Sequence, residues 1–339
     1  MNNNLLDMVK ACVHAVVLLV VAVLTYVILV TIRGSLYLRH KVHYHLLLQH
    51  CICLTVFNAV GSVIHAIRSL HLPVTRLTCW ILFDLQVVFG GGITFSLTLM
   101  CMCMCLAVCS PLQYEPLVNS YYFFLIIFAW ILALINPLVY TVLAFVQKPW
   151  HYVISPDEKC PTALGGTGFS ISVLLFLNIM VMLIFGSYFL ICLEGHQFGH
   201  FSWCNRRARR TILTHMLQIS LYLVPTYIII SCMHLEIAGE IVNFLIFSMS
   251  QVLSPVIYGL QREEFRMEIP HLIPNCCYEC VTHEPGAGGE QRESPGTSRR
   301  PSVAVISTNP CTINLHVSAN ESDEKNNDHI SVKYEETLV

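Results

Sequence analysis

Residues 100 to 117 read MCMCMCLAVCSPLQYEPL, and two features of this stretch set the reading of the whole chain. Sulfur residues alternate from Met100 to Cys105, and an apolar run that began near Cys79 breaks at Ser110-Pro111 into a polar turn. Alternation is not a helix face. At 3.6 residues per turn, positions two apart point about 200° apart, so Cys101 and Cys105 share one face and Met100 and Met104 another. Met and Cys fill irregular gaps between packed elements. The expected role of the alternation is therefore packing, with no metal site, although soft sulfur ligands suit Cu(I).

Working outward from this break, the run 79–109 is one of several apolar stretches. The others are 11–32, 45–67, 121–146, 169–193, 211–233 and 237–260. Each is long enough to cross a hydrocarbon core of about 30 Å at about 1.5 Å per residue. The composition agrees: 55% of the 339 residues are hydrophobic and 12% charged, and the mean hydropathy is +0.62. A soluble domain carries about a quarter charged residues. These spacings predict an all-α membrane protein, a seven-helix transmembrane bundle over 11–260. A short outer N-terminus (1–10) precedes it, and an amphipathic eighth helix (261–270) and a disordered cytoplasmic tail (271–339) follow. The tail is rich in Gly, Pro, Ser, Glu and Asn and too polar to bury a core. The first apolar run is too long for a signal-peptide core.

Basic residues in short loops favour the inner side. With the N-terminus outside, the inner side holds Arg33, Arg39, Lys41, Arg206, Arg207, Arg209, Arg210, Arg262 and Arg266. The outer side holds Lys10, Arg68, Arg76, Lys148 and Lys159, diluted by Asp7, Asp157, Glu158, Glu236 and Glu240. The expectation is N-terminus out, C-terminus in, as a multi-pass protein of the plasma membrane, the ciliary membrane included. The net charge of −2 offers no basic face for a nucleic acid. No Ser-His-Asp order, phosphate loop or metal quartet suggests an enzyme, and no cofactor is implied. The sixteen cysteines lie mostly inside apolar runs, and the cluster Cys276, Cys277 and Cys280 lacks the second Cys/His pair of a zinc site.

Local motifs carry a resemblance to a family. The seventh segment ends LSPVIYGLQREEF (253–265), which is similar to the odorant-receptor form of the N-P-x-x-Y signature, with Ser254 in place of Asn, then Pro255 and Tyr258. The sixth begins RRARRTILTH, similar to the odorant-type K-A-x-x-T-C-x-S-H. Met100 to Tyr114 aligns without a gap to M-A-x-D-R-Y-V-A-I-C-x-P-L-x-Y, matching at Met100, Ala107, Cys109, Pro111, Leu112 and Tyr114. The chain thus resembles rhodopsin-like (class A) G-protein-coupled receptors of the odorant-receptor-like branch over roughly 11–270. It departs from them where the acidic-Arg-Tyr triplet should stand, at Cys103, Met104 and Cys105. Met has no charge and no donor, so that ion-pair lock cannot form. The second segment has no acidic residue, so sodium modulation is not expected.

The resemblance implies further roles. Cys79 and Cys160 both fall on the outer side, where an oxidising compartment lets two thiols pair, with unpaired thiols as the alternative. A small, mostly neutral ligand is expected between the outer halves of helices three, five, six and seven. The candidates are Asp84, Gln86, Val87 and Gly90, then Asn178, Tyr222, Tyr227, Asn243 and Phe247. Gly90-Gly91-Gly92 implies either close helix approach or room for that ligand. A heterotrimeric G protein, or the anionic lipid of the membrane, is expected to face Arg206, Arg207, Arg209 and Arg210. Cys276, Cys277 and Cys280 are juxtamembrane palmitoylation candidates. Ser302, after Arg299-Arg300, suits a basophilic kinase, and the terminal Thr337-Leu338-Val339 suits a PDZ groove. The lost triplet leaves a second reading open: a weakly coupling or non-coupling receptor-like scaffold acting through its tail.

Overall fold

The computed structural model describes residues 3–164, 166–197, 206–231 and 237–260, together with two short strands near the C-terminus. Seven of its helices are long and apolar enough to cross a membrane. They are α1 (Asn3–Gly34), α3 (Val42–Ser69), α4 (Arg76–Cys109), α5 (Pro111–Gln147), α7 (Thr167–Gln197), α8 (Arg206–Ile230) and α9 (Ile237–Leu260). Two five-residue helices, α2 (Leu36–His40) and α6 (Trp150–Ile154), lie between them. Within the unit Met1–His283, α1 packs on α3 and α9, α3 on α4, α4 on α5 and α7, and α8 on α9.

The central helix is α4. Two thirds (67%) of its most apolar window is buried, against 17% for those of α5 and α7. The outward faces of α5 and α7 carry exposed Phe123, Phe124, Leu138, Met182 and Phe189. Apolar surface this continuous is what a bilayer, not water, accommodates. A separate unit, Glu284–Val339, contains β3 (Ser307–Thr308) and β4 (Cys311–Thr312), an antiparallel pair with Ser307 opposite Thr312.

Several helix boundaries differ from the expected ones. The polar turn after Cys109 is a single residue, Ser110 (φ −144°, ψ 64°), and α5 begins at once with Pro111. Proline disfavours helical backbone in the residue before it and suits the first position of a helix. The same residues therefore end α4 and start α5 with no loop between. Residues 3–10, expected as a short segment ahead of the first helix, are the first turns of α1, which starts at Asn3. Two of its charged side chains are partnered. Lys10 Nζ lies 2.5 Å from Glu240 Oε1, and Asp7 Oδ1 lies 2.8 Å from His65 Nδ1.

The C-terminal end of α3 is closed by a Schellman arrangement. Leu72 N–H donates to Ile67 O (3.1 Å) and His71 N–H to Arg68 O (3.4 Å), with His71 left-handed at φ 51°. Next to it, Cys79 and Cys160 form a disulfide with Cα atoms 5.4 Å apart. The loop that it ties down also pairs as β1 (Val74–Thr75) with β2 (Pro156–Asp157). Arg76 holds this loop together. Its guanidinium donates to Asp157 Oδ2 (2.8 and 3.0 Å), Ser155 Oγ (2.7 Å) and Tyr152 O (3.1 Å), and lies 3.9 Å from the Tyr152 ring centre. The Lys159 backbone N–H and then Arg76 hold the Asp157 carboxyl below its ordinary pKa.

Candidate ligand-binding cavity

A cavity of about 560 Å³ opens at the end of the bundle that carries the disulfide. Of the candidates drawn from the sequence, Gln86, Val87 and Gly90 of α4, Tyr222 of α8, and Asn243 and Phe247 of α9 line it. Three candidates lie elsewhere. Asn178 is exposed and donates to its own helix at Leu174 O (2.8 Å). Tyr227 is exposed on α8. Asp84 turns toward α5, where Thr141 Oγ1 donates to its Oδ1 at 2.9 Å. The face of α4 that meets the cavity repeats at Gln86-Val87-Gly90-Thr94, and Asp84 lies about 200° from Gln86 on the helical wheel.

The cavity draws on more of α1 and α3 than was expected, through Lys10, His14, Phe57 and His65. The available signal was the pair of histidines inside apolar segments, each a polar group that needs a partner. His14 is 2% exposed. Its Nδ1 lies 2.9 Å from Asn58 Oδ1. The Asn58 amide nitrogen donates to Leu54 O (2.8 Å) and Gln251 Oε1 (2.7 Å). Asn58 Oδ1 is therefore the acceptor, and His14 donates from Nδ1. In the neutral tautomer Nε2 remains an acceptor. The His14 ring stacks on His65 (5.6 Å) and meets Phe244 (5.0 Å) and Phe57 (6.0 Å) edge-on.

Elsewhere around the wall, Thr94 Oγ1 donates to Gly90 O (3.2 Å) and accepts from the Tyr222 hydroxyl (3.3 Å). Asn243 donates to Pro225 O (3.2 Å). The glycine run divides its duties. A Cβ at Gly92 would stand 3.0 Å from Cys53 Sγ, and one at Gly91 would stand 3.4 Å from Ala133 Cβ. Both allow helices to approach, whereas Gly90 borders the cavity.

Towards the opposite end, the polar groups continue along α3 and α9. His50 Nε2 and Ser254 Oγ are 2.6 Å apart, and the rings of Tyr258 and His215 lie 4.6 Å apart. The buried Ser254, Pro255 and Tyr258 thus face α3 and α8. Cys103 and Cys105 are buried and Met104 is half-buried. Cys101 and Cys105 pack against Tyr188, Ile191 and Ile219. Cys101 Sγ lies 3.7 Å from the Tyr188 hydroxyl, and the Cys105 and Cys109 sulfurs are 3.8 Å apart. Among the described residues no group of three or more His, Cys, Asp or Glu side chains is placed to hold a metal.

Arg206, Arg207, Arg209 and Arg210 form the start of α8, and their side chains are outside the described residues. So are the segment 261–270, Cys276, Cys277, Cys280, Ser302, Thr337, Leu338 and Val339. No protein-family model matches the chain. A search of curated proteins found no match.

Proposed function

We propose that the chain is a seven-helix membrane receptor of the rhodopsin-like, odorant-receptor-like kind. It takes a small, mostly neutral ligand from the outer side and signals to a heterotrimeric G protein inside. The observation that carries this reading is the cavity. It is bordered by Gln86, Val87, Gly90, Tyr222, Asn243 and Phe247, residues chosen from the sequence resemblance alone. Its volume falls within the roughly 300–1,000 Å³ of small-molecule sites. Among the described residues that line it, Lys10 is paired with Glu240, which favours a ligand without net charge. The N-terminus lies outside, the C-terminus inside, and the protein resides in the plasma membrane.

Cys103-Met104-Cys105 favours a second reading. Without an Arg at this end of α4, coupling is weak or absent and the tail acts as the scaffold, with a PDZ protein at Thr337-Leu338-Val339. One experiment separates the two. The native chain and Met104→Arg are expressed, surface expression is confirmed, and G-protein activation is measured at rest and across a panel of small neutral odorants. Robust signalling by the native chain removes the scaffold reading. A silent pair at normal surface levels removes the receptor reading. Deleting Thr337 to Val339 should abolish capture of PDZ domains, and unchanged capture would remove that partner.

A further inference from the structure

We infer that Asp84 anchors a lateral site, between α4 and α5, for a cationic amphiphile: a protonated long-chain amine that reaches the protein from the bilayer. The inference rests on the seven helices lying in a membrane and is independent of whether the chain signals.

Asp84 is eight residues into α4 from Arg76, about 12 Å along the helix. Thr141 is six residues short of the end of α5, about 9 Å. The carboxylate therefore sits near the boundary between headgroups and hydrocarbon. It is half-buried and receives one hydrogen bond, from Thr141. Among the described residues no Lys, Arg or His pairs with it, whereas Asp7, Asp157 and Glu240 are each paired. A half-buried carboxylate within a membrane-spanning helix, with no protein cation beside it, is a candidate binding site.

Three features define the partner such a carboxylate takes. One carboxylate and one hydroxyl fall short of the six to eight oxygens of a Ca²⁺ site, and Mg²⁺, which keeps several of its waters, suits an aqueous site rather than an apolar helix face. The carboxylate calls for a donor that also carries positive charge, since charge-assisted hydrogen bonds are about twice as strong as neutral ones. The surroundings are apolar and open. Ile81 (51% exposed) and Leu85 (39%) on α4, and Leu138 (58%) and Val142 (51%) on α5, offer a hydrocarbon tail a surface beside the charge. Asp84 does not line the cavity between the helices, so an amine reaches it from the lipid side.

The test uses the full chain in phosphatidylcholine nanodiscs at neutral pH, with a spin-labelled long-chain amine and a neutral spin-labelled alcohol of equal length. The immobilised fraction of each probe is read by electron paramagnetic resonance. The native chain should hold the amine at least about tenfold more tightly than the alcohol, the difference of one charge-assisted contact. Asp84→Asn, which keeps the Thr141 contact, should bring the amine down to the alcohol's level, and Glu158→Gln, at an exposed loop carboxylate, should leave the preference intact. Ile81→Lys places a built-in cation one turn away and should abolish the preference without removing the carboxylate, which covers the case in which Asp84→Asn does not fold. No amine preference in the native chain overturns the proposal. So does a preference unmoved by both Asp84→Asn and Ile81→Lys, or one lost in Glu158→Gln instead. A dimer that Asp84→Asn dissociates, with no amine preference, assigns the carboxylate to a second copy and also overturns it.

Discussion

Gly61→Ala tests how rigidly His14 is held in the cavity wall. An added Cβ would stand 2.8 Å from both Cε1 and Nε2 of His14 and 3.0 Å from Nε2 of Gln86. Carbon atoms pack at about 3.5–4.0 Å, so the imidazole has to retreat by roughly 0.7 Å or more. It has little room. Its Nδ1 is held by Asn58, one face lies on His65, and Phe57 and Phe244 close the sides. Overpacking a filled site costs about 1–3 kcal/mol. Weakening the His14–Asn58 hydrogen bond adds about 0.5–1.5 kcal/mol. Alanine's better helix propensity offsets about 1 kcal/mol. The net expectation is a loss of about 0.5–3.5 kcal/mol, read as a lower thermal midpoint of the purified protein in detergent. Gly186→Ala is the control, because a Cβ there meets nothing within 4 Å and only the propensity gain remains. His14→Ala should suppress most of the Gly61→Ala defect, since the two closest contacts disappear with the ring and only the 3.0 Å contact to the flexible Gln86 amide remains. A Gly61→Ala protein as stable as Gly186→Ala, or a defect that persists beside His14→Ala, would refute the reasoning.

Cys160→Ser opens a loop with a sequence separation of 81. The coil-closure ceiling for such a loop is about 4.5 kcal/mol, reduced where helices persist in the unfolded state. Reductant should lower the melting midpoint of the native chain and leave that of the variant unchanged. Asp157 has a depressed carboxyl pKa, so its contribution is present above the unfolded value of about 3.9 and is lost as pH falls through the lower folded value. Asp157→Asn should flatten that acid limb, by about 1 kcal/mol for a part-buried pair at the end of the bundle, and an unchanged melting curve below pH 4 would contradict this. His71→Gly relieves a left-handed residue at a cost of about 1–2 kcal/mol and forfeits the 2.8 Å contact to Asn4. A modest rise in melting midpoint is expected, and a fall would mean that the contact outweighs the backbone.

The number and approximate extent of the long helices were legible because each is an apolar run with no competing explanation. Their ends were not, because polar residues extend helices when a partner lies across the bundle. Asp7 and Lys10 read as an outer tail, yet both lie within α1, each paired with a residue far along the chain. The Ser110-Pro111 break was located correctly, but its length was not. A Ser-Pro pair reads as a turn of any size, and here the helix resumes in the next residue.

The cavity was legible where the resemblance pointed to it, on α4, α8 and α9, and illegible on α1 and α3. Helical period tells which residues share a face but not which neighbour that face meets, and this limit produced both kinds of error. Asp84 and Gln86 are two residues apart, so no helix could aim both at the same cavity, and the wheel alone could not say which would turn away. His14 carried the complementary signal. A histidine inside an apolar run has to find a hydrogen-bond partner in the bundle. The partners with the same need were Asn58 and Gln251, and the structure joins all three. Matching unsatisfied polar groups across apolar segments, before assigning faces, would have brought α1 and α3 into the cavity wall. It would also have left Asp84 as the carboxylate with no cation to match.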